Sequence, residues 1–258
     1  MTLPWRTLQR VEGADGVLEL RQRGAHDFHI LRDGKVLMTS TQQRSEEALG
    51  TLACRAIGAV ARPRVLVAGL GMGYTLRAAL DALPADAEVV VAELHEVVVK
   101  WVRGPLATLT ADVLAEPRVT VALGDVAQVI TRAAASPGER FDAIVLDLYE
   151  GPRPGAGDPA DDHLFGAAAL ARARAGLEPH GVLAIWSEAV VASFERRIRA
   201  GGFTLEVEHP ARGARRYVVY LARPTPTALT GPGDGHQRSR NRSTSGSHAR
   251  ASATASTR

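Results

Sequence analysis

The chain has 258 residues, 45% of them hydrophobic and 23% charged, with a formal net charge of +3. That length suits one well-buried domain with at most an appendage, and the apolar runs are strand-length and broken by charge, which excludes a membrane-spanning helix. The single cysteine, Cys54, excludes an intramolecular disulfide and a thiolate metal cluster.

The N-terminal stretch "MTLPWRTLQRVEG" lacks the long apolar segment of a signal peptide, so the expected location is cytoplasmic. "GVLELRQRG" and "DFHILRDGKVLMTS" follow, and their partial alternation with the Asp33-Gly34 pair predicts a small β-hairpin unit within residues 1–44. "SEEALGTLACRAIGAVA" then predicts a helix, with Ser45 as its cap, Glu46 and Glu47 at the positive end of its dipole and Cys54 packed in the core.

From Arg64 to Arg223 strand and helix patterns alternate. The predicted strands are "RVLVAGL", "AEVVVAEL", "RVTVALGD", "FDAIVLDLY", "GVLAIWS", "FTLEVEH" and "RYVVYLAR", several of them apolar throughout, as strands covered on both faces must be. The expected fold is α/β and Rossmann-like: a doubly wound, mostly parallel seven-stranded sheet over residues 45–223. The connection "EHPARGARR" is too short for a helical crossover, so the last strand is expected to run antiparallel, the layout of the class I methyltransferase fold.

Residues 224–258 are poor in large apolar side chains and rich in Ser, Thr, Gly and Pro, a composition that predicts disorder. This tail holds five arginines against one aspartate, a charge of +4 that leaves the other residues at −1. The part expected to fold is therefore not basic, and only the tail could touch nucleic acid, weakly.

In open α/β sheets the ligand lies beyond the carboxyl ends of the strands. Here four successive strands end in the turn Gly69, Gly71 and Gly73, then in Glu93, Asp125 and Asp147. Glycines admit a ligand close to backbone amides, and an acid about 20 residues further on suits ribose hydroxyls. Asp125 suits an adenine amino group, or it caps the helix that follows. The spacing G-L-G-M-G, with Tyr74 where a dinucleotide fingerprint needs its third glycine, favours an adenosine ligand without a pyrophosphate over NAD. His26, His29, His95, His163 and His180 show no metal-ligand spacing, so no metal is expected. Trp186 and Ser187 end a strand, and Asp158, Asp161 and Asp162 lie in a long Gly/Pro/Asp-rich loop that reads as solvated.

These residues, in this order, resemble the spermidine synthase family of aminopropyltransferases over roughly residues 28 to 223. "VLVAGLGMGYTLRAAL" is similar to the family's glycine motif, "VVVAEL" to its ribose strand, "PRVTVALGDV" to its adenine strand and "FDAIVLDLYEGP" to its catalytic strand and loop. The resemblance implies S-adenosylmethionine or its decarboxylated form as cofactor, a small-molecule amine as acceptor and a possible homodimer through the N-terminal sheet. It also implies that Asp147 orients the amine and helps take its proton, with Glu150 as a second acid.

The pattern departs from the family in two places. The acid between the last two glycines is replaced by Met72, and the tyrosine and histidine that surround the polyamine are missing from "SEEALGTLACRAI", although Gln42 and Gln43 precede it. Three functions therefore stand side by side: aminopropyl transfer to a polyamine, methyl transfer to another acceptor, and nucleoside binding without turnover.

Overall fold

In the computed structural model the described residues are 3–149, 151–152, 162–210 and 217–226. The predicted tail falls outside them, apart from residues 224–226.

Four strands open the chain, β1 (Arg6–Gly13), β2 (Gly16–Arg23), β3 (Asp27–Arg32) and β4 (Lys35–Thr39), and they pair in sequence order as an antiparallel meander. The expected hairpin is therefore half of a four-stranded sheet. Asp33 and Gly34 both take positive φ, 49° and 78°, as the tight turn between β3 and β4 requires. The Asp33 side chain also accepts a 2.9 Å hydrogen bond from the Val17 amide, which ties this turn to β2. No strand was predicted over β1: it is an edge strand with mostly exposed side chains, so it carries little apolar alternation.

Helix α1 (Arg44–Ala56) follows, with Glu46 and Glu47 in its first turn as expected. Ser45 is not its cap. The cap position is Gln43, two residues earlier, and the Ser45 hydroxyl bonds the Glu46 carboxylate at 2.5 Å.

The second sheet contains β5 (Arg64–Ala68), β6 (Glu88–Glu93), β7 (Val119–Leu123), β8 (Phe141–Leu146), β9 (Leu177–Ser187), β10 (Phe203–Glu208) and β11 (Val218–Pro224). Its order is β10-β11-β9-β8-β5-β6-β7, parallel throughout except that β11 runs antiparallel to both neighbours. This is the seven-stranded layout expected from the sequence. The helices α2 (Tyr74–Ala82), α3 (Glu96–Arg103), α4 (Val126–Ala135), α5 (Ala167–Ala175) and α6 (Ala192–Ala200) connect the strands.

Alternation along each strand divides the core in two. Val65 and Val67 of β5 face one layer with α1, α2, α3 and the inner face of the small sheet (Leu18, Leu20, Phe28 and Ile30), while Leu66 and Ala68 face the other with α4 and α6. Every residue of β8 is buried, as befits a central strand covered on both faces. Among the described residues no helix is long and apolar enough to cross a membrane. Cys54 is buried in the first layer, where burial pushes its thiol up to about 12.

Candidate active site at the carboxyl edge of the sheet

The switch in strand order lies between β5 and β8, and the residues singled out at the strand ends gather around it. Gly69, Gly71 and Gly73 take φ of 87°, 51° and 90°. At Gly69 a glycine is compulsory, because a Cβ would overlap the Asp147 carbonyl oxygen. The ends of β5, β6 and β8 thus touch backbone to backbone: the Gly69 amide bonds the Ala92 carbonyl and the Asp147 amide bonds the Ala68 carbonyl, each at 2.9 Å.

Over Gly71 lies Met38 of β4. Its sulfur would stand 2.9 Å from a Cβ there, and it accepts a 3.2 Å hydrogen bond from the Met72 amide. The Met72 side chain points the other way and is fully buried in the core.

Glu93 is 7% exposed and braces two turns at once. One carboxylate oxygen accepts from the Leu70 amide at 3.0 Å and the other from the His95 amide at 2.8 Å. Each oxygen retains a lone pair for a further donor. Beside it, Leu94 and Leu123 are 54% and 56% exposed, and Leu123 lies in register with Glu93. Exposed leucines straight after, or opposite, a buried strand-end acid form an apolar rim against which a flat ring could pack. Their signal in the sequence is an apolar residue directly following the acid, which the sequence reading did not use.

Asp125 does cap α4, accepting the Ala127 amide at 2.8 Å, and its second oxygen meets His163 Nε2 at 2.7 Å. Burial works to raise its pKa, but the Ala127 N–H and His163 outweigh that and hold the carboxyl below its ordinary range. The pairing with His163 was not anticipated, because 38 residues separate the two in sequence.

Asp147, just past the end of β8, is half-buried. Burial raises its carboxyl to about 7, the Glu46 carboxylate of α1 adds to the rise, and a 2.5 Å hydrogen bond with the Thr75 hydroxyl opposes it. Thr75 has one hydroxyl proton and a second acceptor in reach, the Glu46 carbonyl at 3.2 Å. When Asp147 is ionised, that proton serves the carboxylate. When Asp147 is protonated, its own O–H can donate to Thr75 and release the hydroxyl to Glu46. Neither Thr75 nor Glu46 was picked from sequence as a partner of this aspartate, since α1 and α2 come together only by packing.

Glu150, Asp158 and Asp161 lie outside the described residues. Asp162 caps the turn that follows it, accepting the amides of Leu164 and Phe165 at 2.9 and 2.7 Å. Ser187 is buried and bonds the Ala189 carbonyl, whereas Trp186 packs against the first core layer with its indole nitrogen buried and unpartnered among the described residues. Among the described residues no three His, Cys, Asp or Glu side chains gather as a metal site.

No protein-family model matches the chain. The polyamine aminopropyltransferases of Mycobacterium tuberculosis (strain ATCC 25618 / H37Rv) and Mycobacterium bovis are each 35% identical to it over 113 residues, 44% of this chain and 21% of theirs. The match thus spans about a fifth of the length of these curated relatives. Among solved structures, spermidine synthase from Thermotoga maritima matches with a TM-score of 0.66 at 17% identity, over 86% of this chain and 74% of that one. A spermidine synthase in complex with the transition state analogue AdoDATO gives 0.64 at 17% identity, over 86% and 73%. Human methyltransferase-like protein 13 in complex with SAH gives 0.50 at 17% identity, over 72% and 82%. The chain thus shares its fold with spermidine synthases over most of its length, and is similar in sequence to polyamine aminopropyltransferases over part of it.

Proposed function

We propose that the chain is a transferase of the aminopropyltransferase type, moving the aminopropyl group of an adenosyl sulfonium onto a small amine. The observation that carries this reading is Asp147: a carboxyl beside the glycine turn, raised to about 7 by burial, is poised to take a proton from an amine near neutral pH. The likeness to spermidine synthases points the same way.

The residues present suit the adenosine half of such a substrate. Glu93 has lone pairs for ribose hydroxyls, Leu94 and Leu123 offer apolar surface to a base, and Asp125 can exchange His163 for an exocyclic amino group. At the glycine turn only the flexible Met38 thioether stands over Gly71. The bound sulfonium would supply an electrophilic carbon and a neutral thioether as leaving group. The chain's own task is to orient the amine nitrogen, exclude water and accept a proton. As the N–C bond forms and the C–S bond breaks, sulfur keeps the electron pair, and the proton shed by nitrogen passes to an Asp147 carboxylate oxygen. Glu46, on α1, adds a second negative charge that favours a cationic amine near Asp147.

One observation favours methyl transfer as a second reading. Met72 faces the core, so the turn presents no acid at the position where the resemblance calls for one to hold an aminopropyl ammonium.

The test is calorimetric titration with decarboxylated S-adenosylmethionine, intact S-adenosylmethionine and methylthioadenosine side by side. Preference for the first supports aminopropyl transfer, preference for the second moves the assignment to a methyltransferase, and binding of none removes the nucleoside reading itself.

A further inference from the structure

A cavity of about 340 Å³ opens between the small sheet and α3. Neither the glycine turn nor Asp147 lines it; its walls come from Gln9 of β1, the β1–β2 turn, Arg32 of β3, and Leu94, His95 and the first turn of α3.

Arg32 is what makes this cavity more than a packing gap. Its Nε is buried and has no hydrogen-bond partner, and no carboxylate pairs with the guanidinium among the described residues. Among the described residues its polar contact is from a terminal nitrogen to His95 Nε2, at 3.1 Å. A guanidinium only donates, so His95 accepts there and carries its proton on Nδ1. A partly desolvated cation with an idle N–H is costly unless an anion completes it.

The other polar groups complement that need. Gln9 accepts the Trp101 indole N–H at 2.7 Å, which occupies its oxygen and leaves its NH₂ as the donor. In the first turn of α3 the Val98 amide bonds the His95 carbonyl at 3.0 Å, while the Glu96 and Val97 amides lack intrahelical acceptors, and the helix dipole is positive there. Two acids, Asp15 and Glu96, also line the cavity, but both are exposed, and Glu96 is engaged by Lys100 at 2.9 Å.

We propose that this cavity is a binding site for a small oxyanion, a carboxylate or phosphate group, held by Arg32 together with Gln9 and the start of α3. It adjoins the proposed nucleoside site through Leu94, but its oxyanion-binding groups are not among those assigned to the transferase, so it does not depend on the function assigned there.

The experiment is an NMR titration of the ¹⁵N-labelled full chain at constant ionic strength, with inorganic phosphate and with acetate as separate probes. The expected result is saturable shifts, with millimolar dissociation constants, at the Arg32 Nε–H, the Gln9 side-chain NH₂ and the amides of Glu96 and Val97. In Arg32→Gln the affinity should fall at least tenfold. Phosphate alone binding assigns the site to a phosphorylated ligand, acetate alone to a carboxylate ligand, and both binding leaves the shared oxyanion assignment standing. Absence of saturable shifts with both probes, each up to about 50 mM, overturns the proposal. Undiminished affinity in Arg32→Gln does so too. Should that variant fail to fold, Gln9→Glu, on the exposed edge strand, decides in its place: it sets a carboxylate against the anion and must also weaken binding tenfold.

Discussion

Replacing Asp147 with Asn should abolish turnover and at the same time stabilise the protein at alkaline pH. The magnitude follows from the shift of its carboxyl from an ordinary 3.8 to about 7, roughly three pH units at about 1.4 kcal/mol each, or about 4 kcal/mol. Below pH 4 both the folded and the unfolded chain hold the proton, and the penalty vanishes. Between about pH 4 and 7 the unfolded chain releases the proton while the folded one keeps it, so the wild-type protein loses stability steadily; above about 7 both are ionised and the loss levels off. Asn bears no such penalty and can still accept from Thr75 through its amide oxygen. Thermal unfolding of both proteins from pH 4 to 9 should therefore show the variant gaining on the wild type as pH rises, by up to roughly 10 °C in Tm for a domain of this size. Under the same assignment, the wild-type pH–rate profile should rise through a limb near 7. A difference in Tm that does not change with pH, or full turnover in the variant, would refute the reasoning.

Glu93→Gln leaves one oxygen to serve two amides and removes the charge that suits ribose hydroxyls; nucleoside affinity should drop by about 1.5–3 kcal/mol, and equal calorimetric affinity would remove the ribose role. Met72→Asp, which restores the acid seen in the resembled motif, should instead drive a carboxylate into the core and cost about 3 kcal/mol or more, with no gain in binding of the decarboxylated sulfonium; an unchanged melting temperature would show that the side chain can turn outward. Gly69→Ala should cost at least about 2 kcal/mol, because φ of 87° and the Asp147 carbonyl both oppose a methyl group, and a variant as stable as wild type in urea would contradict the strand-end contact.

The sequence by itself determined the layered sheet, because apolar strands spaced by helical patterns leave few ways to bury both faces, and "EHPARGARR" is too short to bring the last strand back parallel. It also placed Gly69, Glu93, Asp125 and Asp147 at one edge of the sheet, since each lies at or just past the end of a strand and parallel strands deliver their ends to one edge. Partners distant in the chain were not legible. Asp125 meets His163, Thr75 joins Asp147 to the Glu46 carbonyl, and Met38 lies over Gly71, contacts set by how helices and the small sheet pack and not by any local pattern. The direction of Met72 was equally hidden, because the backbone angles of the turn decide whether its side chain faces ligand or core. Nor could composition show that the Arg32 Nε would be buried beside His95, 63 residues away, with no carboxylate against it among the described residues: charge balance is read along a chain, whereas desolvation is decided only by what folds over it.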